Sequence, residues 1–172
     1  DVELTVLRHP DQAPALANKA IAAGFTVEPY IARGVQEGFS VKWIPSYKFF
    51  DGRAQTAFII FGPKLAKDKD VGQRWMTAYL KGVRAYLDAF DKKTGRDEVV
   101  GFLAKQTEVK DPAIYQAMEM PYLDPNGMPD RKSMDAMYKW FVDSGEYKGK
   151  LTFNDFTDLS FAEYAAQRLG RR

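Results

Sequence analysis

Two residues in this chain have the type and setting to do chemistry. Glu28 stands directly before Pro29 and Tyr30, at the end of the apolar stretch AAGFTVEPY. Proline drives the residue before it out of helical geometry and cannot donate to a ladder, so Phe25, Thr26 and Val27 read as a short strand ending at Glu28. Ligands of open parallel sheets lie beyond the carboxyl ends of the strands, which would make Glu28 a ligand-facing carboxylate walled by aromatics. The competing reading is a loop glutamate that caps the following helix, where a negative charge is stabilised by roughly 0.3–1 kcal/mol. His9 is the single histidine. It precedes Pro10, and no serine or threonine stands near it with an elbow or triad signature, which favours a turn residue over a catalyst.

Other chemistries lack their residues. The chain has no cysteine, which excludes disulfides, thiol catalysis and zinc-thiolate sites. GxGxxG, GxxxxGK[ST] and HExxH are absent, and DPNGMPD (124–130) lacks the spacing and closing glutamate of an EF-hand. No metal or cofactor is therefore expected. The 25 basic and 23 acidic residues nearly balance, and no Lys/Arg block beyond Arg171 and Arg172 suggests nucleic acid or an anionic membrane as partner. No run approaches the roughly 18 apolar residues of a membrane span, and DVELTVLRHP has no signal-peptide pattern, so a soluble chain, already processed or truncated, is expected.

The elements that would position these residues fall into two parts. At 172 residues and 45% hydrophobic, the chain can bury a core. Glu3 to Leu7 alternates as a strand, Asp11 to Ala23 reads as a helix closed by Gly24, and Phe25 to Val27 follows as a strand. Ile31 to Gln36 makes about two helical turns before Gly38, and Phe39 to Ile44 alternates again. Ala54 to Phe61 is the strongest strand pattern. Beyond it the chain reads as helical: a capping box at Asp70 and Gln73 opens a long helix carrying Trp75, Tyr79, Val83, Tyr86 and Phe90 as an ordinary core stripe. Further helices are expected at 97–105, at 112–118, from Asp130 or Ser133 to Gly145, and at 161–169 behind a Ser160/Glu163 capping box. The aromatics of WIPSYKFF, namely Trp43, Tyr47, Phe49 and Phe50, suggest a loop that faces a partner lobe or ligand.

Three stretches in order carry a resemblance. ALANKAIAAGFTVEPYIARGVQEG, RAQTAFIIFGPKLAKDKDVGQRWMTAYLKGVRAYLDA and DFTDLSFAEYAAQRLG resemble segments of periplasmic substrate-binding proteins of ABC importers, in the nitrate, sulfonate, taurine and thiamine-pyrimidine group. Lys19 and Ala22 depart from the Gly and Asp common in that family. The resemblance implies an α/β, type II periplasmic-binding-protein-like fold of two lobes, incomplete and helix-rich in its C-terminal half. It implies that residues 1–48 belong to the second lobe, 49–57 to a hinge and 58–172 to the returning part of the first lobe. It also implies capture of a small organic or oxyanionic solute between the lobes, without catalysis, and delivery to a membrane permease from the periplasm or a lipid-anchored extracellular position. On this reading the chain is the C-terminal part of a binding protein, completed by an N-terminal segment or a second copy. Glu28 and Pro29 match the family's EP element at the cleft; Phe25, Thr26, Tyr30, Gln55 and Thr56 are added because they flank that strand end or the crossover. A carboxylate there favours an amine, a protonated heterocycle or a hydrogen-bond donor over a bare anion. The alternatives are an enzyme resembling thiamine-pyrimidine synthesis proteins, which would be expected to need histidine or cysteine, and a protein-interaction module with an exposed aromatic surface.

Overall fold

A computed structural model describes residues 1–45, 48 and 55–172. Its regular structure, among those residues, is helical: α1 (His9–Ala17), α2 (Tyr30–Gln36), α3 (Pro63–Lys67), α4 (Lys69–Phe90), α5 (Arg96–Gln106), α6 (Pro112–Ala117), α7 (Arg131–Asp143), α8 (Phe153–Phe156) and α9 (Ser160–Leu169). The chain divides into two units, one of Asp1–Ile44 with Asp88–Pro121 and one of Pro45–Leu87 with Tyr122–Arg172.

The α/β expectation, and with it the type II periplasmic-binding-protein-like fold, is overturned: no strand occurs among the described residues. The reason is local for two of the expected strands. The Val27 carbonyl accepts the N–H groups of Tyr30 and Ile31 at 3.0 and 3.4 Å, so the end of Phe25 to Val27 is spent on the turn into α2. Phe39 and Ser40 both donate to the Gly34 carbonyl, closing the C-terminal turn of α2 where the next strand was expected to begin. For Glu3 to Leu7 the reason is non-local. Alternation specifies which face would be buried, but a strand needs a neighbour to supply its ladder, and Val2, Leu4 and Val6 remain 85%, 90% and 99% exposed.

In the first unit α1 packs on α2, α2 on α6 and α6 on α5. Ala13, Ala32, Val100, Ala104, Val109, Ile114, Tyr115 and Met118 are buried there. Asp111 caps α6 by accepting the Ala113 N–H at 2.8 Å, with Pro112 in the first turn where its missing donor costs nothing. The Tyr115 hydroxyl, packed against Thr107 Oγ1, donates to the Val109 carbonyl at 2.9 Å and so fastens α6 to the loop after α5.

The core of the second unit lies between α4 and α9. Leu80, Ala165 and Ala166 are fully buried, with Met76, Tyr79 and Leu169 packed around them. Phe61 adds an edge-on contact to Trp75 and a tilted one to Phe161. The buried Arg84, from the same face of α4, donates to the carbonyls of Pro125 at 2.9 Å and Leu169 at 3.1 Å, and to Asn126 Oδ1 at 3.4 Å. It thereby joins α4, the 124–128 turn and the end of α9. Asp130 caps α7 through the Ser133 N–H at 2.8 Å. The other expected caps shift: Asp68 rather than Asp70 accepts at the start of α4, from Val71, and Asp158 rather than Ser160 accepts at the start of α9.

Candidate functional site

The first unit gathers five of the seven candidate residues around the start of α2. Pro29 occupies the N-cap position, behind a cis Glu28–Pro29 peptide. The Glu28 carboxylate accepts two backbone N–H groups, that of Ala32 on Oε2 at 3.0 Å and that of Glu119 on Oε1 at 3.3 Å. Its negative charge sits at the positive end of α2, and it ties residue 119 to that helix. Glu28 is thus a capping residue with a second, long-range contact. Glu119 in turn pairs with Lys42.

Tyr30, one residue into α2, donates its hydroxyl to Glu108 Oε2 at 3.1 Å. Burial, and then the Glu108 carboxylate, push the Tyr30 phenol above its ordinary range. Thr26 Oγ1 lies 3.3 Å from His9 Nδ1 at the start of α1, and Phe25 is exposed. The segment thus carries two polar pairs, Tyr30 with Glu108 and Thr26 with His9, and of its carboxylates Glu108 is the one not spent on backbone capping and suited to accept from donors or cations.

The remaining two candidates belong to the second unit. Gln55 is tied to the start of α7 and to its own segment: its N–H donates to Ser133 Oγ at 2.9 Å, its Oε1 accepts from the Asp130 N–H at 2.9 Å, and its Nε2 donates to the Ala57 carbonyl at 2.6 Å. Thr56 is exposed. Of the aromatic loop, Trp43 is exposed. Tyr47, Phe49 and Phe50 lie outside the described residues, as does most of the 49–57 hinge.

Sequence reasoning missed Glu108 and the Glu119 N–H, which reach the start of α2 from segments far along the chain, and Lys42, which pairs with Glu119; none carries a motif. Among the described residues, no group of three or more His, Cys, Asp or Glu side chains is placed to hold a metal ion, and no helix is long and apolar enough to cross a membrane.

No family model, curated protein or solved structure matches this chain.

The Tyr30–Glu108 contact has a titration signature. A raised folded-state value favours the protonated phenol, so the associated stability is present below the ordinary tyrosine pKa of about 10 and is lost as the pH rises through the raised value. In a tyrosinate absorbance titration with Tyr30→Phe as the blank, Glu108→Gln is expected to move the Tyr30 midpoint part of the way back down. An unchanged midpoint would leave burial as the whole cause.

Proposed function

We propose that this chain is the solute-binding component of a membrane importer, working outside the cytoplasmic membrane and passing its solute to a permease without covalent chemistry. The observation that supports this reading is the Tyr30–Glu108 pair at the start of α2, a phenol donating to a carboxylate, two residues beyond the Glu28 cap. The three ordered stretches that resemble importer binding proteins agree with it. Such a group suits a small organic solute with N–H donors, an amine or a protonated heterocycle, since a carboxylate opposite a bare anion would pay for desolvation without a partner.

A thermal-shift screen of amines, pyrimidines, sulfonates, taurine and nitrate, followed by calorimetry on any hit, tests the reading. The expected result is a rise in Tm with an amine or pyrimidine, and an affinity at least about tenfold weaker in Glu108→Gln, equal to about 1.4 kcal/mol. Glu28→Ala is expected to lower stability by about 1–2 kcal/mol in chemical denaturation, because two backbone donors lose their acceptor. A screen in which no member of the panel raises Tm would sink the solute reading and leave Glu28 with its structural role alone.

A further inference from the structure

The segment Val2–Val6 is unspent by anything above. Its apolar residues alternate with Glu3 and Thr5, all are exposed, and among the described residues its backbone forms no hydrogen bond within the chain. We infer that this segment pairs antiparallel with the same segment of a second copy of the chain, forming an isologous dimer contact through the first unit.

Two observations select a second copy as the occupant. First, the pattern Val2, Leu4, Val6 is its own complement. Antiparallel pairing centred on Leu4 sets Leu4 against Leu4 and Val2 against Val6 on one face, while Glu3 meets Thr5 on the other and avoids a second acid. Second, charge follows the same symmetry. Asp1 and Glu3 lie at one end and Arg8 at the other, so each acidic end lies beside the partner's basic end, Arg8 keeping its own contact to Asp11 at 2.7 Å.

This inference does not rest on the solute reading and is tested without any solute. Sedimentation equilibrium across the micromolar range is expected to show a dimer, with hydrogen-exchange protection at alternate amides of residues 2–6, the set that faces the partner strand. Leu4→Lys is expected to weaken the dimer by about tenfold or more and to abolish that protection, because the pairing sets two lysines face to face. Leu4 is 90% exposed, so the helix signal in circular dichroism should be unaltered. Mixing Leu4→Lys with Leu4→Glu should restore the dimer, a rescue specific to a register in which residue 4 faces itself. A monomer with unprotected amides, a dimer indifferent to Leu4→Lys, or protection that appears only when a different polypeptide is added would each overturn the proposal.

Discussion

Arg84→Met should lower the melting temperature by about 6–15 °C, the largest single-residue effect expected in this chain, from a loss of about 3–4 kcal/mol at roughly 2–4 °C per kcal/mol. Arg84 is only 7% exposed, and its guanidinium donates to the Pro125 and Leu169 carbonyls and to Asn126 Oδ1. Methionine fills most of the volume but offers no donor, so the Pro125 and Leu169 carbonyls lose the guanidinium while Asn126 Oδ1 keeps the Arg172 N–H at 3.0 Å, and an unsatisfied buried acceptor costs more than the net value of the bond it lost. Part of the burial of the charge is offset by position, because the Leu169 carbonyl belongs to the negative, C-terminal end of α9. Arg84→Lys separates charge from geometry. Lysine keeps the charge but is a point donor without the planar fork, so it should recover less than half of the loss. Thermal melts of the three proteins by circular dichroism decide the matter. A Met variant within about 2 °C of the parent would mean that the acceptors find water instead.

Arg84 also shows why some features were readable from sequence and others were not. Helices α2, α5, α6, α7 and α9 begin and end close to where short-range signals place them, since caps, prolines and glycines act within a turn of their own position. Gly38 and Gly145, both with φ near +78°, end α2 and α7 as their positions suggest. Where two local signals compete, the sequence does not rank them. α1 stops at Ala17 although its apolar spacing continues to Ala23, because Lys19 takes a positive φ of 63° and Ala20 and Ile21 turn back to the Ala15 carbonyl. The α8 box was present but unread: Thr152 and Asp155 cap each other reciprocally, and the Thr152 hydrogen bonds hold the Asp155 carboxyl below its ordinary range. Phe25 to Val27 and Phe39 to Ile44 lost to turn hydrogen bonds at the two ends of α2, whereas Glu3 to Leu7 failed for a different reason, since alternation states a burial face but not whether a neighbour exists to cover it. Likewise the capping role of Glu28 was legible as one of two readings, whereas its bond to Glu119, 91 residues away, had no sequence signal. Arg84 did have one. It stands one turn beyond Leu80 on the apolar side of α4, where a charge must find polar company in the interior.

Leu80→Ala should cost about 3 kcal/mol, within the roughly 2–5 kcal/mol range for core truncations, and lower Tm by about 6–12 °C. The value depends on whether neighbours can collapse into the space, and here that collapse is partial. Leu80 is fully buried against Ala165 and Ala166, whose methyl groups cannot extend into a cavity, which leaves Met76 and Leu169 as the flexible neighbours able to fill part of it. A Cβ at Gly127 would come within 3.1 Å of Leu80 Cδ2, so a backbone held at φ +73° forms another wall. Near the N-terminal end of α4, a Cβ at Gly72 would come within 2.4 Å of the Phe161 ring, so α4 and α9 are already in close approach there. Leu80→Met, which nearly conserves volume, should cost less than about 1.5 kcal/mol; a Met variant as damaged as the Ala variant would point to shape rather than a cavity. Urea denaturation of both variants measures the difference. Leu80 and Arg84 lie one turn apart on α4, and both reach Leu169. Loosening either therefore frees the end of α9 from the other, and the Leu80→Ala/Arg84→Met double variant should lose less than the sum of the two single losses, by about 0.5 kcal/mol or more. Strict additivity would mean that the end of α9 is anchored independently by the core and by the arginine.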